Sequence, residues 1–142
     1  MSDDFYLQME EILDYYKNPK NVGIIENPDI HAEDDNIPCG DHIEIFIKIK
    51  DGKVVDAKFR GQGCIISQAS ASMLMERIVG MNLEDMKKLT KKDILSMLGI
   101  NLSPTRMKCA LLSLKVLNEG ISKYEGKEFD LEKYLREKVE EE

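Results

Sequence analysis

Three cysteines, Cys39, Cys64 and Cys109, carry the chemistry that this 142-residue sequence offers most readily. Cys39 lies in Pro38-Cys39-Gly40-Asp41, Cys64 closes Arg60-Gly61-Gln62-Gly63-Cys64, and Cys109 follows Arg106-Met107-Lys108. Two glycines ahead of Cys64 allow a tight backbone path, and unpaired N–H groups at a helix start favour negative charge, which suits a thiolate placed there. Cys39 and Asp41 are two apart. In an extended chain such residues point to the same side, so a thiolate and a carboxylate can face one ion, and Gly40 between them removes bulk. If Cys64 and Cys109 converge on that pair, the result is a metal or iron–sulfur site of three thiolates and one carboxylate.

The spacing alone is not diagnostic. Zinc motifs carry paired C-x-x-C spacing, which is absent here. A Cys-His-Asp catalytic site has few candidates, because there are only two histidines and His42 is too close in sequence to Cys39 for a standard dyad. His42 is expected to face away from the Cys39–Asp41 side, as a surface residue. His31 reads as an exposed loop histidine. Three inert core cysteines are the plainest alternative, since a free thiol packs as a small apolar group. An odd cysteine count and the expected reducing compartment argue against disulfides.

The elements that would position these residues follow from periodicity. Phe5, Met9, Ile12, Leu13 and Tyr16 predict an amphipathic helix over 3–17, ended by Asn18-Pro19. Residues 21–37 read as irregular, with a solvated acidic patch at Glu33-Asp34-Asp35 and a third strand from 24–37 as an option. From His42 the pattern changes to period two. Ile43, Ile45, Ile47 and Ile49 share one face, Glu44, Lys48 and Lys50 the other, and Phe46 is the exception. Asp51-Gly52 predicts a hairpin turn, and the return strand should turn Val55, Ala57 and Phe59 inward. The hairpin brings its far end, and with it Cys64, back beside Cys39 and Asp41.

Helices must cover the isoleucine face. Ser67 reads as the cap of a helix ended by Gly80, Asn82 and Thr90 as caps of two short helices, and Gly99 as the stop of the second. Ser103-Pro104 opens a long helix bearing Met107, Ala110, Leu111, Leu114, Leu117 and Ile121, with Cys109 in its second turn. Asp130 should cap a last helix. The expected fold class is α+β, a small antiparallel sheet covered on one face by several helices, in one domain spanning 1–142.

Composition excludes other classes. With 33% charged and 42% hydrophobic residues the chain is an ordinary folded protein, and its net charge of −7 argues against nucleic acid as a ligand. No apolar run reaches membrane-spanning length, and Met1-Ser2-Asp3-Asp4 lacks the layout of a signal peptide, so the expected location is the cytoplasm.

Taken together, Tyr16-Lys17-Asn18-Pro19-Lys20-Asn21-Val22-Gly23, Cys39-Gly40-Asp41, Gly61-Gln62-Gly63-Cys64 with its following Ser/Ala run, and a third cysteine on a helix resemble the iron–sulfur cluster assembly scaffolds: IscU, the N-terminal domain of NifU, and SufU. The resemblance covers nearly the whole chain. It implies that Cys39, Asp41, Cys64 and Cys109 hold metal or cluster, that sulfur arrives as persulfide from a cysteine desulfurase, and that a [2Fe–2S] cluster built from it with iron passes to apo iron–sulfur acceptor proteins. A homodimer holding the cluster at its interface is compatible with it, as is any of the three cysteines as first sulfur acceptor.

Two departures matter. IscU-type chains carry histidine immediately before the third cysteine, whereas this chain has Lys108, as SufU-type chains do, which resemble zinc-bound sulfur acceptors. Lys108 is either a surface cation or a modulator of Cys109. Yet Cys109 follows Cys64 by 45 residues, the shorter IscU-like interval. Leu102-Ser103-Pro104-Thr105-Arg106 also departs from the Leu-Pro-Pro-Val-Lys segment that bacterial IscU-like chains present to a dedicated chaperone. The expectation is therefore a scaffold. The alternatives are a zinc-dependent sulfurtransferase and, third, a structural zinc protein.

Overall fold

The computed structural model describes residues 3–140; Met1, Ser2, Glu141 and Glu142, with the signal-peptide reading that touches the first two, lie outside the described residues. Helix α1 (Asp3–Lys17) leads into a segment that crosses to a three-stranded sheet. The strands are β1 (Ile30–Asn36), β2 (Asp41–Lys50) and β3 (Lys53–Gln62), in the order β1-β2-β3 and antiparallel throughout. Helices α2 (Ile65–Ile78), α3 (Leu83–Lys87), α4 (Lys91–Leu98) and α5 (Pro104–Tyr124) follow, then α6 (Leu131–Tyr134), prolonged by a π-helical turn at Leu135–Val139. Among the described residues no helix is long and apolar enough to cross a membrane.

The β2–β3 hairpin turns at Asp51-Gly52, both at positive φ. Ile43, Ile45, Ile47, Ala57 and Phe59 are buried beneath α2 and α5, as alternation requires. At the turn end, alternation gives the wrong answer. Val54, not Val55, is buried, and Val55 is 50% exposed. The ladder slips between Lys48 and Ile49, and Val54 bonds through its backbone to Gly80 and Met81 beyond α2, which turns it inward.

Residues 30–36, expected to be irregular or at most an optional strand, form β1. Their acidic patch is strand rather than solvated loop. Asp34 faces α5 and its Oδ2 lies 3.0 Å from Lys115 Nζ, while Glu33 and Asp35 point outward. His31, expected exposed in a loop, stacks on Phe46 across the ladder, with centroids 4.7 Å apart, and its Nε2 lies 2.6 Å from Glu44 Oε2. Glu44 is buried, its second oxygen taken by Arg60.

The two outer edges of the sheet differ. Residues 21–23 run along β3: Phe59 N–H donates to Asn21 O, Gly23 N–H to Phe59 O, and the Asn21 amide to Ala57 O. That docking, together with reciprocal bonds between Lys20 backbone and Ser72 Oγ, gives the Tyr16–Gly23 segment its structural role. Among the described residues no strand pairs with the other side of β1.

Small residues let the helices pack closely. Ser70 Oγ donates to Ala110 O, so the α2–α5 contact satisfies a buried hydroxyl while Ala69 and Ala71 keep the separation short. The remaining helix ends follow local chemistry. Asn82, Ser103 and Asp130 each accept a backbone N–H three residues on, Thr90 and Asp93 form a reciprocal box, and Gly99 ends α4 at φ +71°.

Candidate metal centre

Four chain segments meet at one end of the sheet. A 3₁₀ turn, Ile37–Cys39, carries Cys39 and is closed by Gly40, whose positive φ of 69° lets its N–H reach Ile37 O. Asp41 then opens β2 and is buried. The extended geometry expected for Cys39 and Asp41 is therefore replaced by a turn, yet their donor atoms and Cys109 Sγ all lie within 4.8 Å of one another. Of the four expected donors these three come together, and the left-handed Gly40, not a strand pleat, turns Cys39 toward Asp41.

Cys64 is brought to the same end of the sheet by the return of β3, but its Sγ is not among the donors that lie within 4.8 Å of one another. It, and not Ser67, caps α2: its Sγ accepts the Ser67 N–H at 3.4 Å. Ser67 instead turns its hydroxyl to Asp41 Oδ1 at 3.1 Å. Cys109 is fully buried in the second turn of α5, its Sγ accepting the Asn36 amide at 3.7 Å and lying within 4.8 Å of the Cys39 and Asp41 donors.

Asp41 is the best-anchored group of the site. Its Oδ1 accepts the Cys64 N–H at 2.9 Å as well as the Ser67 hydroxyl, and its Oδ2 accepts the Asn36 amide at 3.1 Å. Burial works to raise its pKa, but the Cys64 N–H, the Cys109 thiol, Asn36 and Ser67 together outweigh it and hold the carboxyl below its usual range. Cys109 moves the other way. Burial pushes the thiol far up, and the neighbouring Asp41, Cys39 and Cys64 add to it. A cation in this place relieves that cost, because it displaces the thiol proton and shares the charge of the cluster of donors.

The donor set fits a soft cation: thiolate sulfurs suit iron–sulfur clusters and zinc, and the one oxygen is supplied by a group already ionised. Lys108 is exposed and borders a groove of about 780 Å³ with Met107, Leu111 and Leu112. The cation that reaches the sulfurs is Arg106. Its neighbours Cys64, first, and Cys109 favour the charged guanidinium further. Sequence reasoning missed Arg106, Asn36 and the contact of Ser67 with Asp41. Arg106 was findable, since residues three apart share a helix face; Asn36 required knowing that β1 exists.

Comparison with known proteins agrees with this geometry. The NifU-like N-terminal domain matches residues 7–130. The iron–sulfur cluster assembly scaffold protein IscU of Thermotoga maritima is 38% identical over 130 residues, covering 80% of this chain and 92% of that protein. The zinc-dependent sulfurtransferase SufU of Bacillus subtilis is also 38% identical, over 141 residues, covering 87% and 94%. Among crystal structures, FiSufU of Fervidobacterium islandicum superposes with a TM-score of 0.68 at 33% identity, covering 79% of this chain and 94% of its own. A NifU-like N-terminal protein of Brucella abortus, at 22% identity, shares the fold with a TM-score of 0.70. The matching domain and the high mutual coverage show that this chain belongs to the family of NifU-like N-terminal domains, the group that includes IscU and SufU.

Proposed function

We propose that the chain is a scaffold on which a [2Fe–2S] cluster is assembled and from which it is handed on. Iron and persulfide sulfur from a cysteine desulfurase are its substrates, apo iron–sulfur proteins its recipients, and Cys39, Asp41, Cys64 and Cys109 the residues that hold the cargo. The observation that carries this reading is Asp41, a carboxylate beside the Cys39 and Cys109 sulfurs that three protein donors already satisfy. Oxygen is a poorer partner for cluster iron than thiolate. When iron leaves, the carboxylate keeps its hydrogen bonds, so release strands no buried charge. Such a site holds without permanence.

The rim supports protein partners. Ile37, beside Cys39, is 83% exposed, and Ile65, beside Cys64, is 36% exposed. Apolar residues flanking reactive thiols provide a contact surface for a desulfurase delivering sulfur and for an acceptor taking the cluster.

The second reading is a zinc-dependent sulfurtransferase, favoured by the SufU relative and by Lys108 before Cys109. Anaerobic reconstitution with iron, cysteine and a cysteine desulfurase separates the two. A scaffold develops cluster absorbance with acid-labile sulfide, loses it in Cys64→Ser, and passes it to an apo-ferredoxin. Tight zinc, no cluster, and sulfur carried on a cysteine would establish the transferase instead.

A further inference from the structure

Both histidines of the chain pair with carboxylates on the outer face of the sheet, the face turned away from the helices. β1 places His31 and Glu33 there, and β2 places His42 and Glu44. The register sets Glu33 directly opposite Glu44 and Asp35 opposite His42. His31 Nε2 lies 2.6 Å from Glu44 Oε2, and His42 Nε2 lies 3.3 Å from Glu33 Oε1. One donor atom from each of His31, Glu33 and Glu44 falls within 4.8 Å of the other two.

These donors are held before any ion arrives. The His31 ring is stacked on Phe46 at an interplanar angle of 13°. Arg60 Nε donates to Glu44 Oε1 at 2.6 Å, which leaves Oε2 turned toward His31 on a side chain only 8% exposed. Hydrogen bonds of this kind are what orient metal-ligating carboxylates and imidazoles. Charge points the same way. Like charges directly opposite on paired strands repel, yet Glu33 faces Glu44 and Asp35 stands next on the same face. Arg60 offsets one of these three carboxylates. His42, between Asp35 Oδ1 at 2.6 Å and Glu33 Oε1, links the other two.

We infer that His31, Glu33 and Glu44 form a second, sulfur-free site for a divalent first-row transition ion such as Fe²⁺ or Zn²⁺, with Arg60 and His42 positioning Glu44 and Glu33. One imidazole and two carboxylates are a donor set for such ions rather than for a cluster. The ion replaces the hydrogen between His31 Nε2 and Glu44 Oε2, and the imidazole binds it as the neutral ring with its one N–H on Nδ1, any further proton leaving to solvent. The two atoms then spread from 2.6 Å to about 3.3 Å, as tetrahedral bonds near 2 Å demand. His31 and Glu33, with side chains 42% and 55% exposed, are free to make that adjustment. Water completes the coordination, so the ion exchanges readily. The inference does not depend on what the thiolate site does.

Titration of the full-length protein with Co²⁺ under anaerobic conditions tests it. The first equivalent should give sulfur-to-metal charge-transfer absorption from the cysteine site. A second should add none of that absorption while shifting the His31 ring-proton resonances. His31→Ala and Glu33→Gln should each weaken the second equivalent at least tenfold and leave the first spectrum intact, which also reports folding. Competition by Fe²⁺ and Zn²⁺ identifies the ion. A stoichiometry of one, a second equivalent unaffected by both substitutions, or equal competition by Mg²⁺, which has little use for an imidazole, would each overturn the inference. Loss of the first absorption with retention of the second would count against the thiolate site alone.

Discussion

Asp41 is a ligand candidate that never lacks a partner, and its consequences are residue-sized. Asp41→Ala is expected to give a cluster that survives severalfold longer and transfers correspondingly more slowly to an apo-ferredoxin; faster cluster loss from the variant than from the parent would refute the role given to the carboxylate. Gly63 guards the same group. A Cβ there would lie 2.3 Å from Asp41 Oδ1, at a φ of +144° that side chains avoid. Gly63→Ala should therefore cost about 1–3 kcal/mol of apoprotein stability in urea titration, and weaken metal binding along with it. Arg106 and Lys108 separate by position. Removing the guanidinium beside two thiols should slow sulfur acceptance severalfold in Arg106→Ala, whereas Lys108→Ala, out on the groove, should leave the rate unchanged when persulfide is trapped and quantified. The cysteines were legible because there are only three of them, and Asp41 because it stands two residues from Cys39. Asn36 and Ser67 were not, since an amide and a hydroxyl acquire meaning only from the carboxylate they face.

At the scale of elements, the contact between α5 and β1 contains an ionisable pair with no part in the metal centre. Burial pushes Glu119 up to about 8, and contact with Asp34 adds to the shift. Burial works on Asp34 too, but the Glu119 proton, Lys115 and the Asp35 N–H outweigh it and hold that carboxyl below its usual range. The shared proton therefore sits on Glu119. Its contribution to stability is complete below the ordinary value of 4.5 and is lost as pH rises through about 8, because across that window the unfolded chain has released a proton that the folded chain keeps. Glu119→Gln, neutral throughout, should flatten the decline in melting temperature over the same range; an unchanged decline would place its cause elsewhere. Element boundaries were mostly legible because caps are local: Asn82, Thr90, Ser103 and Asp130 act on N–H groups three residues away. Val54 and β1 were not legible for the opposite reason. Val54 turns inward because of Gly80 and Met81, far along the chain, and β1 is acidic where it faces Lys115 and the histidines.

For the whole molecule, the α+β class was readable from one isoleucine-rich hairpin followed by amphipathic helices, since a single covered face dictates where the helices must lie. The convergence of three distant cysteines was an inference from hairpin return, and it depends on chain paths that no local pattern encodes. The sheet's two dissimilar edges carry a further meaning. With residues 21–23 laid along β3 at Ala57 and Phe59, β1 is an edge that no strand among the described residues pairs with, and its Glu33, Asp34 and Asp35 make that border acidic. A second copy would present the same acidic border and be repelled, which is a natural defence against edge-to-edge aggregation. The β1 border thus favours a lysine- or arginine-bearing strand over an acidic one.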